Sequence, residues 1–599
     1  MIEGSGNSIT TTNLEGPPAT DISSRGPVSE PDDNGALEAL ADTRTRVWIA
    51  AGLFFMVLGV YVLSGPGRID IIDGEARFDV ALNWLVKGQP IVTDRWIGPI
   101  VGVPGVGGFY YSYYGPAASF LSIPLVWLGV IIHPHSLQPS QFLFSLTSAV
   151  FGAGIASVLF LFYLELGVAV RRAVAWTLAS SFATYVWAIS TSTFDNAQHG
   201  FFAIAALYLA FVSARRKSWV YALSGGLFAG VLFLYQEYFL LIFPALALAT
   251  LDGSLVDSSA RPRPAKTQES LIARMASIPR EMLHAIGTQV REAIRGSEDA
   301  RQSFLRYGVF FCGPLLCVVL MFVYNDIRFG SWFDDGKLRL AAGRGYHFFG
   351  SPLAGLLTLL VSPGKSIFLY SPPIVLAIAG ARGLWRRRPG LMIAVSVSTV
   401  ILVSFLSCIK FASGDWCWGP RYLTALLPLW ALAFPFIPQF KARRSVLIAV
   451  IAAGVVVQVL GLSVENQRFF FERGLNDFFW AENPWFYLQH SAFFARFQEF
   501  ASLTTGVPSS ARAFNSIPQP DWTTYSLLGP PGNVPRALAP VWMQNFQIFY
   551  LPRPWPLWVS ALDPTKRPVP LVPWIVGFLG IIVLGAGFIV RALPKGEKE

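Results

Sequence analysis

The sequence predicts an all-α, polytopic transmembrane protein of about 11–13 spans, and three observations predict it. Apolar residues make up 53% of the 599 residues and charged residues only 14%, with a mean hydropathy of +0.48. A soluble chain of this length needs far more polar surface to cover its core. Apolar runs recur along the chain close to the roughly 20 residues that cross a bilayer. Nineteen Trp and nineteen Tyr suit aromatic belts at the two membrane–water interfaces.

The net charge of +10 is distributed in short clusters, Arg215-Arg216-Lys217, Arg386-Arg387-Arg388 and Lys441-Ala442-Arg443-Arg444, beside apolar runs. They read as cytoplasmic anchors under the positive-inside rule, not as a nucleic-acid groove.

In chain order, residues 1–45 are rich in Gly, Ser, Pro and acids without apolar periodicity, which predicts a disordered cytoplasmic tail. An N-terminal transmembrane region follows over 46–251. Its first span, 47–63, is preceded by Arg44 and Arg46 and lacks a small-residue cleavage site, so it reads as a retained helix. The outer loop 65–116 contains an amphipathic surface helix at 76–86, with Arg77, Asp79 and Asn83 between its apolar positions. The Gly- and Tyr-rich stretch 102–114 reads as irregular. Further spans are expected at 117–132, 143–166, 172–189, 201–212, 220–234 and 239–251. A charged cytoplasmic insertion covers 252–306, with helical spacing at 269–294. A second transmembrane region, 307–462, has expected spans at 307–324, 353–380, 391–407, 422–437 and 446–462. Residues 463–570, rich in Pro and aromatics, read as outer interfacial helices and loops, and 571–599 as a last transmembrane helix with a cytoplasmic tail. Strict alternation from the first span places Arg171-Arg172 outside, against the charge rule. One segment between 117 and 251 is therefore short, re-entrant or misread.

The four cysteines form no zinc-type spacing. Cys312 and Cys317 lie in an apolar run and read as packing residues. Cys408 and Cys417 flank a short outer loop and could pair in an oxidising exterior. The six histidines are scattered, and His133-Pro134-His135 reads as an interfacial turn rather than a metal site.

Several polar islands break the apolar pattern. Asp73-Gly74-Glu75 puts two carboxylates on a turn, where glycine lets the backbone bend and a substrate approach. A carboxylate there can act as general base on a hydroxyl or amine. The pair could also help hold a divalent cation, the one cofactor the chain suggests. A plain solvated turn is the alternative. The other islands are Tyr110-Tyr111-Ser112-Tyr113-Tyr114-Gly115-Pro116, Asp195-Asn196-Ala197-Gln198-His199, Asn325-Asp326-Ile327-Arg328-Phe329-Gly330, Ser362-Pro363-Gly364-Lys365-Ser366, and Gly414-Asp415-Trp416-Cys417-Trp418-Gly419-Pro420-Arg421-Tyr422. The predicted topology turns all of them outward.

Taken in order over 47–462, the acidic first outer loop, Tyr114-Gly115-Pro116, the Asn-x-x-Arg-Phe-Gly turn at Asn325–Gly330, Ser362-Pro363-Gly364-Lys365 and Trp418-Gly419-Pro420-Arg421-Tyr422 resemble those of the GT-C glycosyltransferases, integral membrane enzymes that use polyprenyl-phosphate sugars. The likeness is greatest to the bacterial branch of protein mannosyltransferases and lipid A sugar transferases (glycosyltransferase family 39-like). The resemblance implies inverting transfer of a sugar from a polyprenyl-phosphate donor to an envelope glycan, lipid or protein, on the outer face of a bacterial inner membrane. An acid of the first outer loop serves as base and the lipid phosphate leaves. Asp73 matches that acid best, with Glu75 as partner or substitute. Many relatives carry two adjacent acids, so the intervening Gly74 is a departure that leaves the choice open. Positive charge must meet the leaving phosphate. Lys365 and Arg421, in Gly/Pro-broken turns with free backbone amides, are the first candidates, followed by Arg328 and Arg344. Asp195, His199 and Asp415 could line the acceptor side, with capping or loop roles as the alternative. Tyr111, Tyr113, Tyr114, Trp416 and Trp418 could stack on sugar or prenyl chain, or simply belong to an aromatic belt.

Two other classes compete. A secondary transporter or flippase of an envelope lipid or glycan predicts internal repeats and mid-membrane charges. No convincing repeat is present and the ionisable residues gather at span ends, Gln236-Glu237 being the main exception. A scaffold protein has no need of paired acids and basic turns on one face.

Overall fold

The computed structural model describes residues 43–65, 67, 69–93, 102–134, 137–251, 297–344, 347–414, 417–438, 443–463, 491–497 and 571–593. The predicted N-terminal tail, the helical spacing at 269–294 and most of the predicted outer region 463–570 lie outside these residues.

The apolar run after Arg46 forms α1 (Thr43–Ser64). Next comes α2 (Ile72–Lys87), the amphipathic helix predicted by spacing, begun one turn earlier. Asp73 and Glu75 therefore stand in the first turn of a helix, where the dipole favours negative charge, and not on an open turn as the sequence suggested. Gly74 is required for close approach: a Cβ there would lie 2.4 Å from Oγ1 of Thr193. The helix stops at Gly88, whose left-handed backbone (φ 70°) lets its N–H donate to the Trp84 carbonyl.

The stretch predicted to be irregular pairs instead as a small antiparallel sheet. Its strands are β1 (Ile91–Val92), β2 (Gly102–Pro104) and β3 (Tyr110–Ser112), in the order β1-β3-β2. Tyr111 stands opposite both Ile91 and Val103. A short chain excursion held over the helices satisfies its backbone groups in this way.

There follow α3 (Ala117–Ile132), α4 (Gln138–Ser145), α5 (Thr147–Glu165), α6 (Val170–Ala183), α7 (Val186–Ser190), α8 (Asn196–Arg215) and α9 (Trp219–Tyr235). The predicted span 117–132 has the bounds of α3 but does not change sides. Sixteen residues reach only about 24 Å, short of a core of about 30 Å. The chain enters α3 with Gly115 against the Leu234 carbonyl and turns so that Gly129 meets Ser140. It returns with the Ser148 hydroxyl donating to the Phe194 carbonyl at 2.7 Å. The α3–α4 hairpin thus leaves and rejoins the same end of the molecule, beside α2, where Phe78 and Phe144 pack edge to face.

This hairpin removes the conflict over Arg171-Arg172. Glu165 at the end of α5 meets Arg46 at 3.9 Å, Arg215 at 3.0 Å and Arg216 at 3.5 Å. Arg172 donates to the Pro435 carbonyl at 3.1 Å, and the Arg388 guanidinium lies 5.8 Å from the Phe211 ring. These basic groups gather at the end of α8 remote from Asp195.

Several predicted continuous spans are broken. Residues 239–251 form two 3-10 turns around α10 (Phe243–Ala247). After α11 (Glu298–Phe329) and α12 (Lys337–Arg344), the stretch 353–380 divides into α13 (Pro352–Leu360), α14 (Ile367–Tyr370) and α15 (Ile374–Arg387). α16 (Pro389–Cys408) is continuous, whereas 422–437 holds only α17 (Leu427–Ala431) between 3-10 turns. Pro244, Pro363, Pro372, Pro373, Pro428 and Pro435 explain most of these breaks, because each removes a helix donor. The last helices are α18 (Arg443–Ser463) and α19 (Leu571–Ala592), the latter packed along α1 with Gly52 facing Gly585.

Among the described residues, six helices are long and apolar enough to cross a membrane, with shorter apolar helices between them. The protein is all-α apart from its small sheet, and multi-pass. All four thiols are free. Cys417 is buried with its Sγ at the carbonyls of Gly414 and Gly419 (3.1 and 2.9 Å), so no Cys408–Cys417 disulfide forms.

α9 and α11 cross at glycines: a Cβ on Gly226 would sit 1.8 Å from the Phe310 carbonyl oxygen, and one on Gly313 2.2 Å from the Gly226 carbonyl carbon. Gly226→Ala and Gly313→Ala should each cost about 1–3 kcal/mol by overpacking, read as a lower unfolding midpoint in detergent. Gly308→Ala, with open space within 4 Å, should leave the midpoint unchanged or raise it.

Candidate active site

The site is built where α2 meets the start of α8. Asp70 accepts from the Thr193 amide at 2.8 Å, the Thr193 hydroxyl at 2.5 Å and the Ser192 hydroxyl at 2.7 Å. One turn into α2, Arg77 meets Asp195 at 2.9 Å, with both side chains buried, and His199 lies 3.7 Å from the same carboxylate oxygen. Burial by itself would raise the Asp195 pKa; Arg77 and His199 outweigh it and hold the carboxyl below its ordinary range. Asp79 accepts from the Thr93 amide at 2.6 Å and from Asn83 at 2.8 Å, closing the turn that leads into the sheet.

Asp73 stands above this floor with its side chain 15% exposed. The Tyr114 hydroxyl donates to its Oδ1 at 2.5 Å, and Nη1 of Arg421 reaches Oδ2 at 3.4 Å. Tyr114 in turn accepts from the Tyr113 hydroxyl at 2.9 Å, while the Arg77 guanidinium covers its ring at 4.4 Å. Burial and the Asp73 charge both push the Tyr114 pKa well up, which keeps this phenol a donor. Arg421 lies over Phe194 at 4.0 Å and over Tyr422 at 5.0 Å. Its loop passes close because Gly414 has positive φ (72°) and a Cβ there would sit 2.8 Å from Arg421 Cγ. Glu75, two residues along the helix, faces a different direction and is buried, 5% exposed.

Asp73, Tyr113, Tyr114 and Arg421 therefore come together, and Asp195 and His199 lie beneath them. Other sequence candidates fall elsewhere. Arg328, buried, donates to the carbonyls of Ser112 and Tyr114. Lys365, also buried, donates to the Cys417 carbonyl at 2.6 Å. Trp418 is packed edge to face on Tyr370 at 4.9 Å, in the core. Tyr111 packs on Phe329. Asp415, Trp416, His135 and the side chain of Arg344 lie outside the described residues. Among the described residues no group of three or more His, Cys, Asp or Glu could hold a metal ion.

Sequence reasoning missed Asp70, Thr193 and the pairing of Arg77. Asp70 lies three residues before Asp73, and Arg77 stands at i+4 from Asp73, the spacing of neighbours on one helix face. Their partners lie more than a hundred residues away, Thr193 for Asp70 and Asp195 for Arg77, and leave no local signal.

No family model matches the sequence, and no curated protein does. Among solved structures, the chain is similar to the archaeal oligosaccharyltransferase AglB from Archaeoglobus fulgidus in complex with an inhibitory peptide and a dolichol-phosphate. That match has 12% identity and a TM-score of 0.42, over 74% of this chain and 58% of the other. ArnT from Cupriavidus metallidurans bound to undecaprenyl phosphate gives 12% identity and 0.41, over 87% and 88%. The arabinosyltransferase EmbB from Mycobacterium smegmatis gives 14% and 0.34, over 92% and 40%. The chain spans little more than half the length of the archaeal protein it matches.

Arg77→Gln should cost about 3–5 kcal/mol, because it leaves Asp195 buried without its cation. The pH dependence has a definite sign. The folded pKa of Asp195 lies below its unfolded value, so its contribution is complete above the ordinary carboxylate range. It is lost as pH falls toward the depressed value. Asp195→Asn should flatten the acid limb of the unfolding midpoint against pH; an unchanged limb would place that acid sensitivity elsewhere.

Proposed function

We propose that the protein is a membrane glycosyltransferase of the GT-C kind, passing a sugar from a polyprenyl-phosphate donor to a hydroxyl or amine of an envelope glycan, lipid or protein. The observation that carries this reading is the part-exposed Asp73 carboxylate, fixed between the Tyr114 hydroxyl and the Arg421 guanidinium at one end of a helical membrane protein.

Asp73 is the base and takes the proton of the acceptor group. The acceptor atom bonds to the anomeric carbon from the face opposite the phosphate, so the configuration inverts. The bond between that carbon and the phosphate oxygen breaks, and the lipid phosphate leaves with the electron pair. Arg421, already at Asp73, is placed to meet the charge that builds on the leaving group, and its planar fork suits a phosphate. Tyr114 orients the base, and Tyr113 offers an aromatic face beside it. Asp195 and His199, below the base, act as its support rather than as acceptor ligands. The basic groups at the far end of α8 read as the cytoplasmic side under the positive-inside rule, which supports a site on the outer face; the membrane in this reading is a bacterial inner membrane.

Purified protein in nanodiscs, given a panel of radiolabelled polyprenyl-phosphate sugars and an envelope extract, should release lipid phosphate from one donor. Asp73→Asn should slow that turnover about 10²–10⁴-fold, and Glu75→Gln should slow it far less. Equal turnover by Asp73→Asn would remove Asp73 as the base. No turnover of any donor by folded wild type would favour transport instead.

A further inference from the structure

We propose that Arg328 and Lys365 are positioning residues that brace the two arms gripping Asp73, and are not ligands of the donor phosphate. The inference rests on the glycosyltransfer reading only for the names of its kinetic readouts.

Each arm is a loop whose backbone carbonyls are buried, and buried carbonyls need donors. The first arm leads from β3 to α3 and carries Tyr114. Arg328, 1% exposed, comes from the last turn of α11 and places Nη1 on the carbonyls of Ser112 (2.5 Å) and Tyr114 (3.2 Å). Its Nη2 is held by Asn325 Oδ1 at 2.6 Å. The guanidinium is covered by Tyr324 at 4.1 Å and lies 4.8 Å from the Phe329 ring. The sheet behind is pressed onto the same helix end, where a Cβ on Gly105 would lie 2.1 Å from the Arg328 carbonyl oxygen. The fork thus fixes the two carbonyls that flank Tyr113, and with them the phenol that donates to Asp73.

The second arm is the loop from Cys417 to Arg421. Lys365, 1% exposed, donates to the Cys417 carbonyl at 2.6 Å. The thiol of the same residue sits at the Gly414 and Gly419 carbonyls. Trp418 is wedged against Gly461, where a Cβ would lie 2.4 Å from its Nε1. The Arg421 amide closes the turn onto the Gly419 carbonyl at 3.0 Å. Each cation therefore acts through a carbonyl on a side chain that touches Asp73: Arg328 through Tyr114, Lys365 through Arg421. A charged donor is the stronger choice for such a brace, and a lysine at 328, with one nitrogen, cannot reproduce the planar span from the two carbonyls at Nη1 to Asn325 at Nη2.

The test combines kinetics with amide exchange on the full-length protein in nanodiscs. Arg328→Lys and Lys365→Met should lower kcat about ten- to a hundredfold, the scale of a charge-assisted hydrogen bond, with donor KM nearly unchanged. The Arg328→Lys loss should shrink in a Tyr114→Phe background, and the Lys365→Met loss in an Arg421→Lys background, because each pair acts in series. Exchange should quicken over 102–114 in the first variant and over 417–421 in the second. Asn325→Ala, which keeps the guanidinium but loosens its hold, should give a milder form of the Arg328→Lys pattern. A raised donor KM with kcat preserved, additive losses, or unaltered exchange would overturn the proposal and return these cations to the phosphate. A wild type inactive on every donor would count against the glycosyltransfer reading alone, and the exchange patterns would still decide whether the braces exist.

Discussion

The ion pair between Arg77 and Asp195 is the constraint on which the site depends. Two buried charges persist only when each has the other, and removal of either partner exposes a large desolvation cost. The pair therefore fixes the amphipathic helix α2 to the start of α8 in one register. Asp70 adds hydrogen bonds from Thr193 on the same seam, and Gly74 lets the two elements close to contact. A helix that could otherwise slide along a membrane surface becomes a rigid mount, and its first turn presents Asp73 at a set height above α8.

From that mount the site is assembled by convergence. Tyr114 arrives at the end of a small sheet and Arg421 arrives on a loop between α16 and α17. Neither belongs to the seam that places the carboxylate. Catalytic geometry benefits when reacting groups sit on supported elements whose rotamers are locked from behind. Here the support is largely backbone carbonyls held by buried cations, an arrangement available where the chain is irregular and has few ladder hydrogen bonds of its own.

Much of the helical layout was legible because apolar runs and helical periodicity report burial directly: α3 has its predicted bounds, and α2 was visible from its spacing alone. What escaped was any property that depends on a distant partner. The run at 117–132 is as apolar as a span, but its contact with α2 and α4 turns it back. The prolines that break 353–380 and 422–437 were in view, yet hydropathy averages smooth over them. At the site, residue type pointed to Asp73, Tyr114 and Arg421. Residue type could not separate a cation that meets a carboxylate from one that meets a carbonyl: Lys365 and Arg421 both follow a Gly/Pro break, and Arg328 stands just before a glycine. Glu75 and Asp73 were equivalent as letters and became distinct only once helical geometry turned them apart.

The separation between Asp73 and Arg421 has a consequence for biosynthesis. The two residues are 348 positions apart in the chain, and domains and segments form in the order in which they emerge during synthesis. The seam between α2 and α8 can close once Thr193 and Asp195 are made, so the carboxylate is mounted early. Its cationic neighbour reaches it only after more than two-thirds of the chain has been inserted. A chain that ends anywhere between α9 and α16 holds Asp73 and Tyr114 but lacks Arg421, so the carboxylate meets its phenol before it meets its cation.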